Sequence, residues 1–417
     1  MVARWLQQLR SPLVLNGYAL VLSSGATSVL GVGYWIAAAR LYSEEAVGLS
    51  SATLAAMFFL ANVSQFNLVH ALNRFVPSAG RGTARLILSA YAVSVVMAIV
   101  GSAVFLLGLP LFAPSLDALL EPRAALWFVF ATVSWCLFAL QDSVLIGLSQ
   151  SKWVPLENVL YALAKVALVV LLVGVFPQQG VFVSWTAPLW LLIIPVNALI
   201  FFRLIPAHAR EGAGAVDPKA IVRFVAGDYL SSLVWIATVE LLPLVILELA
   251  GASSSAFFYL AWTIADTLYL VSLNMGMSLV TEGARDESKL NAYSRQILRQ
   301  TLQLMVPAVA LILILAPYVL RLYGDTYSAE STTLLRLLSL SALPYVVVSI
   351  AISMARVTRD MFAIFWIHSG LCLLVFGFSA IFIRTYGVTG VGLAWLLAQS
   401  IIMGVLLATR LRRAWFG

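Results

Sequence analysis

One lysine and two carboxylates stand in this sequence where an apolar chain has little reason to keep a charge. Lys165 falls midway along the apolar run Val159–Phe176. At 1.5 Å per residue it lies about 15 Å from either end of a membrane span, beyond the reach of a lysine stem toward water. A charge near the bilayer centre costs at least roughly 2.5–3.5 kcal/mol, so the side chain needs a counter-charge. Two are open to it: the phosphate or pyrophosphate of a substrate head group, or a structural pair with Asp142 or Glu157 on neighbouring helices. Glu240 and Asp266 form the second set, expected on successive helices within about 6 Å of the midplane. Adjacent carboxylates at one depth do not both stay ionised without a cation. They therefore share a proton or bind sodium, which is the chemistry of ion coupling, or each is protonated and packs against a Ser, Thr or Trp.

Other polar residues group around these. Asp142, Glu157 and Asp228 lie one to three turns from helix ends and, with Lys152 and Arg223, either rim a cytoplasmic gate or simply reach the interface. Asn16, Asn62, Gln65, Asn67 and Asn274 are uncharged groups within or near spans. They suit sugar hydroxyls, or the interhelical hydrogen bonds that membrane bundles use. His70 and His368 are isolated and read as packing residues. No Ser/His/Asp or Cys/His set, Walker-type glycine loop or metal-spaced His/Cys/Asp cluster occurs. The chain reads as a non-enzyme without a cofactor beyond a proton or sodium ion. Cys136 and Cys372 both fall in apolar runs and form no redox pair.

The elements that must position these groups are membrane helices. Of 417 residues, 62% are apolar and 10% charged. A soluble chain carries roughly a quarter charged residues, so a water-facing surface is excluded. Apolar stretches between polar breaks place twelve spans, near 13–39, 45–71, 85–109, 124–147, 154–176, 183–203, 222–248, 255–281, 300–320, 333–355, 361–383 and 388–409. The first has no cleavage-like site after it and reads as a retained helix. Connections are short, which argues against a large extramembrane domain. The net charge of +7 reflects topology rather than nucleic-acid binding. Nineteen Lys and Arg residues fall in the even-numbered connections and termini, against five in the odd ones. The positive-inside rule then puts both termini in the cytoplasm, and the even span number agrees.

The chain also repeats. Ser43-Glu44-Glu45-Ala46-Val47-Gly48-Leu49 echoes Ser253-Ser254-Ser255-Ala256-Phe257-Phe258-Tyr259, and Gly180-Val181-Phe182-Val183-Ser184-Trp185 echoes Gly390-Val391-Gly392-Leu393-Ala394-Trp395, both at an offset of 210. The expected architecture is all-α, with an N-terminal six-helix lobe (1–206), a cytoplasmic linker (207–219) and a C-terminal six-helix lobe (220–417). Halves with an even helix number enter the membrane alike and are related by a pseudo-twofold along its normal, with a substrate path between them, as in rocking carriers.

Several motifs resemble a known family. They are Ala39-Arg40-Leu41-Tyr42-Ser43-Glu44-Glu45-Ala46-Val47-Gly48 with Leu72-Asn73-Arg74-Phe75-Val76-Pro77, then Ser278-Leu279-Val280-Thr281-Glu282-Gly283-Ala284-Arg285-Asp286, Leu343-Pro344-Tyr345, and the segment Gly390–Gln399. The pattern is similar to the polysaccharide (O-antigen, Wzx-like) flippase branch of the multidrug/oligosaccharidyl-lipid/polysaccharide (MOP) exporter superfamily. That resemblance implies translocation of an undecaprenyl-linked oligosaccharide from the cytoplasmic to the outer leaflet of the cell (inner) membrane by alternating access. It implies membrane lipid and polysaccharide-assembly enzymes as partners. Multidrug exporters share the fold and are the nearest competing reading. A membrane glycosyltransferase or polymerase is a further one, although the largest outward loop, Pro110–Arg123, offers only Asp117, Glu121 and Arg123. A non-transporting scaffold is the last.

Overall fold

The computed structural model describes the backbone of residues 12–210, 217–409 and 411, and the side chains of all these except residues 12–26, 227 and 228. Sixteen α-helices occur among the described residues, with no strand. In chain order they are α1 (Pro12–Leu41), α2 (Glu44–Gln65), α3 (Leu68–Phe75), α4 (Thr83–Phe112), α5 (Pro122–Gly147), α6 (Trp153–Leu171), α7 (Gly180–Thr186) and α8 (Pro188–Leu199). Then come α9 (Ile205–Ala209), α10 (Pro218–Glu240), α11 (Leu242–Ala250), α12 (Ala252–Arg285), α13 (Leu290–Arg321), α14 (Asp325–Val357), α15 (Met361–Tyr386) and α16 (Thr389–Ala408). Eleven stretches within this order are long and apolar enough to cross a membrane. The remaining expected span coincides with α1, half of whose side chains lie outside the described residues. The protein is a multi-pass membrane protein. Helices are the necessary solution, because lipid cannot satisfy a free backbone group.

Three expected spans are not continuous helices, and each break has a local cause. Span two breaks at Phe66 and Asn67, whose φ angles of 47° and 56° are left-handed. Asparagine tolerates that region better than most side chains, and its carbonyl then accepts from His70 and Ala71 to start α3. Span six is interrupted at Ala187, just before Pro188, runs on through Pro195, and widens into a π-helical turn at Ile200–Leu204. Span seven breaks between α10 and α11, where Pro243 has no N–H for the carbonyl of Val239 four residues earlier.

The chain forms two compact units, Met1–Tyr42 with Leu60–Ala226, and Ser43–Phe59 with Gly227–Gly417. In the first unit α1 packs on α6 and α4 on α5. In the second, α14 is the most buried of the described spans and packs against α12, α13 and α16. Its buried positions include Ser331, Ser339, Ser341, Ala342, Ser349, Ala351, Ser353 and Ala355. Small side chains let helices approach closely where no hydrophobic force separates protein from lipid. Several of their hydroxyls bond back to their own helix, as Ser341 does to Leu338 and Ser353 to Ser349.

Candidate functional site

Lys165 sits on α6 in the first unit and is 7% exposed. Its Nζ lies 3.5 Å from the ring centroid of Trp185 on α7 and 5.2 Å from those of Tyr34 on α1 and Tyr161 on α6. Tyr161 precedes Lys165 by one helical turn, so both project from one face. The rings are themselves fixed. Tyr34 donates to the Val181 carbonyl at 2.7 Å and shares a 2.9 Å hydrogen bond with Ser184, while Tyr161 donates to the Trp185 carbonyl at 2.8 Å. Trp35 stacks edge-on to Tyr34, with centroids 5.3 Å apart. An ammonium over a ring face gains from about 0.5 kcal/mol when exposed to about 2 kcal/mol when desolvated.

Neither expected carboxylate partner pairs with this lysine. The ion pairs among the described residues are Arg285–Glu282 and Lys289–Asp286, both at exposed helix ends. Glu157 instead accepts from Gln141, and Asp142 accepts from Asn158. The reason is distance along the helix: eight residues separate Glu157 from Lys165, or about 12 Å of rise. The lysine thus brings a basic group with no carboxylate partner among the described residues into the interior of the unit.

Glu240 and Asp266 come together in the second unit, as their depth predicts. They line one cavity of about 380 Å³ with Trp235, Tyr259, Trp262, Tyr269 and Phe58. Glu240 is the last residue of α10, placed at the break that Pro243 imposes. On α12 the lining residues Tyr259, Trp262, Asp266, Tyr269 and Leu273 follow the three- and four-residue spacing of one helix face. Neither carboxylate forms a hydrogen bond or ion pair among the described residues. Behind the cavity wall, Trp395 donates to the Tyr269 hydroxyl at 2.6 Å, which bonds Ser341 at 2.6 Å. Trp235 stacks on Tyr345 with centroids 5.7 Å apart and lies beside His368. His368 bonds the Ser231 carbonyl at 2.9 Å and packs as expected, whereas His70 is exposed.

The remaining expected residues are dispersed. Gln65 is buried against the Cys136 thiol, Asn67 serves the helix break, and Asn62 is half-buried with a partner of its own. Asn274 is exposed. The groups around Lys165 are rings, and no expected amide is among them. The side chains of Asn16 and Asp228 lie outside the described residues, as do residues 211–216 of the expected linker. Of the expected gate, Asp142 and Glu157 are brought together, while Lys152 is exposed and in none of the described ion pairs.

Sequence reasoning missed the aromatic walls of both sites, yet the repeat carried a signal for them. Trp185 and Trp395 are equivalent at the 210-residue offset. Each stands at the centre of an aromatic cluster in its own unit, Trp185 with Tyr34 and Trp35, Trp395 with Trp262 and Tyr269.

No protein-family model and no curated protein matches the sequence. Solved structures do match the fold. An inward-facing multidrug resistance MATE family transporter of the MOP superfamily superposes with a TM-score of 0.70 at 17% identity, over 93% of this chain and 94% of that one. The lipid II flippase MurJ, in an inward closed conformation, gives 0.63 at 14% identity over 94% and 87%. A MOP superfamily transporter from Pyrococcus furiosus, described with a binding pocket of reversed polarity, gives 0.61 at 14% identity over 95% and 94%. Identities this low establish architecture alone, and the architecture is that of the MOP-superfamily transporters.

Proposed function

We propose that the chain is a secondary carrier that moves an anionic lipid-linked saccharide, carried on a polyprenyl phosphate or diphosphate, from the cytoplasmic to the outer leaflet. The carrying observation is the buried ammonium of Lys165, which has no carboxylate partner among the described residues. A phosphate entering a site of low effective dielectric supplies the missing countercharge. Glu240 and Asp266 are the coupling pair, binding a proton or sodium ion in their cavity. Alternating access, cytoplasmic termini, six-helix lobes at 1–206 and 220–417, and partner assembly enzymes complete this reading, supported by the charge asymmetry and the repeat.

A second reading rests on its own observation. Two unpaired carboxylates amid Trp235, Tyr259, Trp262 and Tyr269 are also what an organic cation requires, so export of lipophilic cations is the competing function. One vesicle experiment separates them. The purified protein is reconstituted, a proton or sodium gradient is imposed, and passage of a labelled polyprenyl-diphosphate sugar is measured beside efflux of a fluorescent lipophilic cation. Sugar-lipid passage without cation efflux is expected. Gradient-driven cation efflux with no sugar-lipid passage would overturn the flippase reading.

A further inference from the structure

A third polar cluster lies in the first unit, apart from the rings around Lys165. Two helices contribute one acid and one amide each: Gln141 and Asp142 on α5, Glu157 and Asn158 on α6. The pairs cross. Gln141 Nε2 donates to Glu157 Oε1, and Asn158 Nδ2 donates to Asp142 Oδ2 at 3.4 Å. A chain of donors feeds the first pair from two further helices. Tyr91 on α4 donates to Asn197 Oδ1 on α8 at 3.0 Å, and Asn197 Nδ2 donates to Gln141 Oε1 at 2.5 Å. Every donor in that series points toward Glu157, an arrangement that polarises each bond in favour of negative charge there.

The second oxygen of each acid is left over. Glu157 Oε2 and Asp142 Oδ1 are buried and have no hydrogen-bond partner, and Glu157 is only 2% exposed. The acids lie within electrostatic reach of each other and of Tyr91. No described cation offsets them, since Lys165 is held among rings and Lys152 is exposed. A buried carboxylate needs a partner for each oxygen, and an unpaired one is among the costliest groups a fold can hold. The free ligands are all oxygen, one unpartnered atom from each carboxylate, while the amides satisfy the other oxygen of each. Hard oxygen donors of this kind select an alkali or alkaline-earth cation over a softer metal. One of two adjacent buried carboxyls retains its proton, so the pair carries one negative charge and suits a single positive one.

We propose that the crossed acid–amide pairs of α5 and α6 bind one sodium ion through Glu157 Oε2 and Asp142 Oδ1. The site straddles the connection between the two helices, about one and a half turns from the end of α5 and the start of α6. Bound sodium ties those ends together and, through Gln141, Asn197 and Tyr91, to α8 and α4. Its occupancy sets how firmly this end of the unit is closed. This cation is separate from the one assigned to Glu240 and Asp266, and the inference does not depend on what the carrier moves.

The test uses the purified full-length chain in detergent, without substrate. Sodium chloride replaces choline chloride at constant pH and ionic strength, with potassium chloride as the comparison, and the thermal unfolding midpoint is followed. Sodium should raise the midpoint by a few degrees in a saturable way, and potassium should raise it less. In a Glu240→Gln background, which silences the other cation site, the sodium shift should remain, and adding Glu157→Gln or Asp142→Asn should abolish it while the protein stays folded in choline. A sodium response that persists in the Glu157→Gln/Glu240→Gln double variant would overturn the proposal, as would no sodium-specific response in Glu240→Gln. A midpoint that follows pH but not sodium would assign the two free oxygens to protons alone, and would also overturn it.

Discussion

Replacing Lys165 by methionine separates its charge from its packing. The thioether keeps an unbranched stem of similar length among Tyr34, Tyr161 and Trp185 and deletes only the ammonium. A phosphate oxygen about 4 Å from Nζ, at an effective dielectric of about 20, gains about 4 kcal/mol. Drawing the ammonium from the Trp185 face toward that phosphate gives up as much as about 2 kcal/mol. The difference, about 2 kcal/mol, corresponds to roughly a 30-fold loss of transport at sub-saturating substrate. Stability should move the other way, because the substitution removes a buried charge that has no ion-pair partner. Leaflet crossing of a labelled polyprenyl-diphosphate sugar in vesicles gives the first quantity, and the unfolding midpoint in detergent the second. Lys165→Arg should retain part of the transport, since charge matters more than shape at a single phosphate. Neutralising Asp142 or Glu157 should not rescue Lys165→Ala, as neither acid pairs with the lysine. Undiminished transport in Lys165→Met, together with a lower midpoint, would refute the head-group role and leave a purely structural cation.

Three further outcomes follow from the same geometry. Glu240→Gln should abolish gradient-driven transport while leaving folded protein in the membrane, with Asp266→Asn weaker in effect; parental rates in both, across a range of pH and sodium, would make the pair structural. Gly180→Ala should lower the unfolding midpoint, equivalent to about 1–3 kcal/mol of overpacking, because the added methyl meets the ring of Tyr42, whose hydroxyl is held by the Val169 carbonyl at 2.9 Å; Gly174→Ala, with open space beside it, is the control. In a Cys372→Ser background, a cysteine at Ser115 should react with an impermeant thiol reagent from outside and one at Ser78 only from inside, and the reverse pattern would sink the assigned orientation.

How much of the fold the sequence disclosed depends on which force sets each feature. Span positions follow from transfer of apolar runs into lipid, a property of composition along a window, and the helices observed fall on those windows. Interruptions depend on single residues. The window reading carried 222–248 as one span and passed over Pro243, although its missing N–H removes one defined hydrogen bond. Asn67 reads from the sequence as a ligand, and only the backbone reveals that it turns the chain. The same ambiguity misdirected Gln65, whose amide lies against Cys136 from another helix.

The charged residues of the sites were legible for a different reason. A charge at membrane depth is costly wherever it occurs, so Lys165, Glu240 and Asp266 announced themselves without knowledge of their neighbours. Their surroundings belong to other helices, and nothing local records which ring faces which charge. The one non-local trace was the repeat. Trp185 and Trp395 hold equivalent places in it, and the aromatic clusters around them accompany opposite groups, a lysine in one unit and two carboxylates in the other. A wall of π faces favours a cation, so in the second unit rings and carboxylates recruit one together, whereas in the first the lysine is itself the cation the rings receive. The two units thus set opposite charges on a common aromatic ground, and it is the residue among the rings, not the rings, that decides which ion each favours.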